Sequence, residues 1–362
     1  MKWKILILGL LCLGGTVQAQ EQPLTLDWWN GLTKEWKECF LNETGLEEPL
    51  TQAGLDTIYA LEKITCTGID DFGDERNINS LEPIQSLIHL KEVDCSYAFI
   101  NDLSPLSSLK NLTKLNCAYT YVEDLAPLNE LVGLKELICA GTRITSLASI
   151  HDLANLEKVD LFEVRLKDWS ELSAFTSLKK ASLDNTNIQS LEPLAKLIKL
   201  ESLQLSETDV EDLEPLKKLK LLKHLQIRKT KVIDLHPLKE LEALETLNLN
   251  ETEISSLDAV KELKSLERLF FSHTKVKDIG ALTKLKMLKE LTFSQTQIDS
   301  LSPLTELPNL SILIFVETPI SSLSPIQNAK ALTVLYCRDS KIPDEEIEAF
   351  QDKYPNVETD YF

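Results

Sequence analysis

Cysteines, histidines and one acidic loop are the residues whose types invite a chemical reading. The chain has seven cysteines and five histidines. Cys66, Cys95, Cys117 and Cys139 recur at related positions. In an oxidising compartment such a set suggests disulfides or zinc. Buried cysteine also serves as a small hydrophobe. The reading here is free core thiols, with one disulfide or a metal as the alternatives left open. His224 falls midway between Ser202 and Thr246, twenty-two residues from each. A hydroxyl–imidazole pair needs a carboxylate behind the ring to become a nucleophile. The flanking positions supply none, so His224 reads as a solvated surface residue. His89, His151, His236 and His273 fall in turns or on a rim. Asp70, Asp71, Asp74 and Glu75 surround Gly73 and offer oxygen ligands of the kind calcium takes. Their spacing fits no known calcium loop, so the segment reads as solvated acid. Phosphate-cradling glycine loops, HExxH and CxxC are missing from the sequence. The expectation is no enzyme, no cofactor and no metal.

The elements that would position any site come from a repeat. The 362 residues are 43% apolar and 26% charged, with 11 Gly and 14 Pro, which is globular composition. Cut every 22 residues from Asn79, the chain gives twelve blocks without a gap to Ile342. Apolar residues recur at block positions 3, 6, 9, 12, 15, 17 and 22. Position 12 is Leu in all twelve, from Leu90 to Leu332. Positions 15 and 17 alternate with polar 14, 16 and 18, which predicts a short half-buried strand. Positions 3, 6 and 9 have the three-residue period of a 3₁₀ turn. Asp or Ser at position 2, such as Asp102, Ser146 and Asp234, suits a cap for that turn. Proline at position 5, as in Pro105 and Pro237, is tolerated where first-turn amides are free anyway. One coil cannot bury its own apolar side chains, so coils must stack.

Position 20 is Thr in nine blocks, Thr120, Thr208 and Thr296 among them. The chain leaves the strand there and turns inward. The hydroxyl is expected to satisfy buried backbone groups. Ala98 and Val164 lack one, and irregularity or water is expected at those two coils.

These residues resemble the leucine-rich-repeat family, in particular its 22-residue internalin-like class. That class has a strand LxxLxL, an inward polar residue, then x-Asp-Leu/Ile-x-Pro-Leu. The resemblance covers 264 of 362 residues. The departure is Thr where the class usually carries Asn. Trp28-Trp29-Asn30-Gly31-Leu32 followed by Trp36-Lys37 looks like the caps of secreted bacterial members. The resemblance implies an α/β fold: a right-handed solenoid with a parallel concave sheet, short 3₁₀ or irregular convex turns and helical caps at both ends. It also implies a binding scaffold, without supplying a ligand.

The ends complete the plan. Residues 1–19 read as a signal peptide: Lys2 and Lys4, an apolar run from Ile5 to Leu13, and Val17-Gln18-Ala19 at the cleavage site. That run is too short to span a bilayer. Its removal takes the formal charge from −19 to −21. The mature chain is expected to be exported, periplasmic or extracellular, and not membrane-spanning. Residues 20–49 form an N-terminal cap, with one helix over about 27–42 presenting Trp28, Trp29, Leu32, Trp36 and Phe40 on one face. Residues 50–78 form a degenerate first repeat carrying the acidic insertion. Leu55, Ile58, Leu61, Ile64 and Cys66 match positions 6, 9, 12, 15 and 17 there. Residues 343–362 close the other end, with a helix over 344–352 and Val357 and Thr359 at positions 15 and 17. Fourteen strands result.

Function is expected on the concave columns 14, 16 and 18, continued along a rim at 19 and 21. Six cations and six carboxylates balance in the three strand columns. Asp160, Gln204 and Arg228 are polar candidates for partner contact. Tyr97, Tyr119, Phe99, Tyr121 and Phe162 form a first aromatic patch, with Ala118 and Ala140 leaving space beside it. Aromatics with a polar tip are favoured interface anchors and also suit sugar stacking. Packing against Phe72 of the insertion is the competing account. Ile312, Ile314, Val316, Val334 and Tyr336, with Phe270 two strands away, form a second, apolar strip. Coverage by Tyr361 and Phe362 is its competing account. The net negative charge argues against nucleic acid. The expected role is non-enzymatic recognition of a protein partner, with glycan or envelope binding through the first patch as the alternative.

Overall fold

The structure, a computed structural model, describes residues 24–69, 73 and 75–360. The signal-peptide segment, Asp70, Asp71, Phe72, Asp74, Tyr361 and Phe362 lie outside the described residues. Fourteen parallel strands form one sheet in strict chain order, from β1 (Lys63–Thr65) to β14 (Glu358–Asp360). Each of the twelve blocks contributes one three-residue strand at positions 14–16 and one 3₁₀ turn on the return path. The in-register pairs, Leu203 with Leu225 and Leu225 with Leu247 for instance, repeat the 22-residue period. Hydrogen bonds run beyond the formal strands: Leu205 N–H donates to Gln226 O at 2.8 Å and Glu207 N–H to Arg228 O at 2.9 Å.

The repeat positions behave as their chemistry requires. Leu at position 12 is buried in every coil, and so are the residues at 15, 17 and 22. Position 17 changes from Cys through Leu to Phe271, Phe293 and Phe315, whose rings stack at 5.6 Å. The side chain at position 2 accepts the N–H of position 4 in all twelve coils, at 2.7–3.3 Å. Each 3₁₀ turn is therefore capped by Asp or Ser. All nine threonines at position 20 donate their hydroxyl to the carbonyl at position 17, at 2.6–2.9 Å. Ala98 and Val164 do not make their coils irregular. Their own amides close the turn instead, onto Cys95 O at 3.3 Å and Leu161 O at 3.0 Å.

Position 19 carries a feature that its residue types hide. Its φ is +51° to +63° in twelve consecutive coils, eleven of them without glycine, from Tyr97 to Asp339. The left-handed residue turns the chain from strand to return path. It costs about 1 kcal/mol per non-glycine residue. The threonine bond one residue later holds the turn closed.

Four expectations at the ends need correction. The N-terminal cap is two helices, α1 (Leu26–Gly31) and α2 (Lys34–Thr44), because Thr33 breaks the run and caps Trp36. A third helix, α3 (Gln52–Tyr59), replaces the 3₁₀ turn of the degenerate repeat. Trp28, Trp36 and Phe40 pack their rings at 5.4–5.6 Å, and Trp36 Nε1 donates to Ser80 O of the first regular coil. Cys39 of α2 and Cys66 form a disulfide, while Cys95, Cys117, Cys139 and Cys337 are free and buried. The alternative of one disulfide thus holds, but it joins the cap to the stack rather than two neighbouring strands of the stack. At the C-terminus, α4 (Asp344–Lys353) buries Ile347 and Phe350. Thr359 then lies opposite Leu335, at position 15 rather than 17, and Val357 packs half-buried ahead of the strand. The turn after α4 takes up the two-residue difference. No helix among the described residues is long and apolar enough to cross a membrane.

Candidate binding face

The pleat sends positions 14, 16 and 18 out of the sheet on the side opposite the core. Some of their charges are paired within the face. Glu136 lies 3.9 Å from Lys114 and 3.7 Å from Lys158. Arg228 bridges Glu207 at 3.0 Å and Glu251. Both carboxylates hold the Arg228 guanidinium above its ordinary pKa, hydrogen bonding to Glu251 being the larger cause. Gln204 lies half-buried beside Gln226. His224 Nδ1 is 3.3 Å from Thr246 Oγ1, which also accepts from Arg268 Nε at 3.2 Å. His224 has no carboxylate contact among the described residues, and the structure assembles no triad there. Nor do three metal-ligating side chains converge among the described residues.

Backbone amides at position 18 are open to the same face and need side-chain acceptors. Asp94, Asn116, Asp160 and Asn248 each accept the amide two residues later, at 3.0–3.1 Å. Asn250, Ser272 and Ser294 accept from the next coil at 2.7–3.0 Å, and Asp184 does the same with Ser206. Ala140 lacks either kind of acceptor, because its neighbours are Ile138 and Ala118. Its amide has no partner among the described residues, as is also true of the position-18 amides of Asp184, Arg228 and Arg338, and Ala140 is 5% exposed.

The aromatic patch assembles as the columns require. Tyr97, Phe99, Tyr119 and Tyr121 are 46%, 39%, 40% and 42% exposed. The Tyr97 and Tyr119 rings stack at 4.9 Å and 10°. Tyr119 lies over Gly141, where a Cβ would come within 2.5 Å of the ring. Phe99 and Tyr121 lie 6.2 Å apart, and Arg143 sits 4.4 Å above Tyr121. Phe162 stands half-buried beyond Ala140, on the same coil as Asp160 and Glu163. Burial, then Glu163, Tyr97 and Asp160, push the Tyr119 hydroxyl pKa up. Burial likewise raises Asp184, whose neighbours include Asp160 and Glu207. The sequence reading missed Gly141, Arg143 and Glu163. A lone glycine in column 19 and the arginine following Phe99 and Tyr121 in column 21 were the available signals.

The second strip also assembles. Ile312 pairs with Val334 and Ile314 with Tyr336, with Phe270 one strand further on beyond Thr292. Tyr336 donates its hydroxyl to Glu358 of the last strand, so its polar tip is engaged within the molecule.

Comparison with known proteins agrees with this architecture. The leucine-rich-repeat domain of the endo-β-N-acetylglucosaminidase EndoS matches residues 167–274. No curated protein matches the chain by sequence. Among solved structures, the internalin InlF of Listeria monocytogenes superposes with a TM-score of 0.79 at 24% identity, covering 91% of this chain and 95% of that one. A leucine-rich-repeat protein of Leptospira interrogans gives 0.71 at 18% identity, covering 91% and 99%. A chain of the mouse RP105/MD-1 complex gives 0.66 at 20% identity, covering 87% and 57%. The chain has the leucine-rich-repeat solenoid fold of the internalin-like kind.

Proposed function

We propose that the protein is an exported, non-enzymatic scaffold that holds a protein partner against the concave sheet. The observation that carries this reading is the row of exposed rings at the N-terminal end, fixed by Gly141, by ring stacking and by Arg143. Pre-ordered aromatics bury large area at little entropic cost, which is what an interface anchor needs. The RP105/MD-1 relative is itself part of a complex, and the leader-like residues 1–19 support export. The partner would be met in the periplasm or outside the cell.

Glycan binding is the second reading, favoured by the same rings. Sugar stacking requires a free ring face. One Tyr119 face is used by Tyr97, Gly141 adjoins the other, and Arg143 covers a face of Tyr121. That geometry suits side-chain contacts at ring edges better than a flat sugar. Capture of partners from the native environment tests the first reading, with wild type against Asp160→Lys plus Arg228→Glu. The same captured proteins in both would refute concave-face recognition. A glycan array tests the second. Selective binding lost in Tyr119→Ala plus Tyr121→Ala would favour it.

A further inference from the structure

Carboxylates along the sheet face differ in one respect. Glu136, Glu207 and Glu251 are paired with cations of the same face. Glu92, Asp94 and Glu290 have no ion pair among the described residues, and nor do Asp160, Glu163 and Asp184. The last three adjoin one another: Asp160 Oδ1 accepts the Phe162 amide at 3.1 Å, and the Glu163 amide donates to Asp184 O at 3.1 Å. The Gly141 amide donates to Phe162 O at 2.7 Å, which sets this group beside Gly141 and the Tyr119 ring above it. Ala118, Ala140 and Gly141 keep the floor between Tyr119 and Phe162 low. The unpartnered Ala140 amide lies in that floor.

We infer that this aromatic surface takes a basic side chain, arginine or lysine, from the protein partner, held between Tyr119 and Phe162 and neutralised by Asp160, Glu163 and Asp184. The inference rests on the recognition reading above and names the chemistry of its anchor. Charge complementarity selects this occupant. The three carboxylates here carry no ion pair, whereas Glu136 one coil away is held by Lys114 and Lys158. A cation beside these carboxylates gains charge-assisted hydrogen bonds. The Ala140 amide is available to a main-chain carbonyl of the same partner segment.

The test is selection of a random peptide library on the full chain, at about 0.5 M salt to suppress non-specific attraction to an acidic protein. Binders lost in Tyr119→Ala are kept. Each is resynthesised with citrulline for arginine, or norleucine for lysine, which removes the charge. The expected result is a shared basic residue whose neutral replacement weakens binding about tenfold or more. Asp160→Asn plus Glu163→Gln should weaken the parent peptide similarly and leave the neutral peptide unaffected. Both substitutions keep the hydrogen-bond acceptors in place, so folding is preserved. Tyr119-dependent binders without a basic residue would overturn the inference while leaving concave-face recognition intact. Equal binding of citrulline peptides would overturn it too, and so would a failure to select any Tyr119-dependent binder. Loss of the capture difference described above would instead overturn the scaffold reading.

Discussion

Replacing Thr208 by Val should cost about 1 kcal/mol of stability. Thr208 is buried, and its hydroxyl donates to Leu205 O at 2.6 Å. Valine keeps the shape and the packed methyl, so no cavity opens. Only the hydrogen bond is lost. Leaving a buried carbonyl unpaired costs about 1–3 kcal/mol. The protein shows how part of that is recovered. In the coil that naturally carries Val164, the backbone amide closes onto Leu161 O at 3.0 Å. The same tightening in the Thr208 coil places the loss at the lower end of the range. The assay is urea unfolding followed by circular dichroism, with the slope required to stay constant between variants. With a slope of about 3 kcal/mol per M, the midpoint should fall by about 0.3 M. The triple variant Thr186→Val, Thr208→Val and Thr230→Val should lose about 3 kcal/mol if the coils act independently. A neutral single variant, and a triple variant no worse than the single, would show that the hydroxyls do not hold the turns. The reasoning about position 20 would then be wrong.

Other positions give separate tests. His273 has φ of +56°, so His273→Val places a branched side chain in the left-handed region and should lose about 1–2 kcal/mol in the same unfolding assay. Gly141→Ala should displace the Tyr119 ring, whose Cδ1 a Cβ would approach to 2.5 Å, and tyrosine NMR shifts should report the broken stack. Gly68→Ala should be far worse, about 3 kcal/mol or more, because its Cβ would meet backbone at Tyr97 O within 1.9 Å and backbone cannot swing aside. Asp184→Asn should stabilise the protein near neutral pH. Burial raises the folded-state pKa of Asp184, so stability linked to this group is present below its unfolded pKa and lost as pH rises through the folded value. The advantage of the Asn variant should vanish in acid, as thermal melts across pH will show. The thiols of Cys95, Cys117, Cys139 and Cys337 should ignore a thiol reagent at pH 8 until denaturant is added, since burial pushes Cys117 up to about 12 and Cys337 to about 11.

The repeat was legible because a stacked coil offers each position one environment, and twelve copies average out exceptions. Position 12 has to be Leu-sized in every coil, and position 2 has to cap every turn. The same averaging fails wherever one copy stands alone. The bond between Cys39 and Cys66 joins a cap helix to the solenoid, and spacing does not encode which thiols meet. The C-terminal register depended on how α4 ends, and one apolar pair could not separate a strand from the turn before it. Left-handed position 19 stayed hidden for another reason. The stack forces that conformation on Glu, Lys, Gln and Tyr alike, so no glycine column announces it. Only Gly141 does, and there the glycine also makes room for a tyrosine ring.

That exception bears on where a partner should sit. Arg228 is a poor anchor although it is central, because Glu207 and Glu251 already hold it. A partner carboxylate would have to displace those bonds and lose water in exchange for a contact of the same kind. The second strip is weakened in a similar way, since Tyr336 spends its hydroxyl on Glu358. At the N-terminal end the balance is reversed. The rings are ordered before any partner arrives, so little side-chain entropy remains to be lost. The nearby carboxylates have no ion pair, so a cation gains attraction without displacing another cation. The disulfide, the tryptophan cluster and α2 brace this end of the stack and keep the rings from shifting under load. Rigidity, open aromatic area and uncompensated charge coincide over coils one to five, and the energy of recognition is expected to concentrate there.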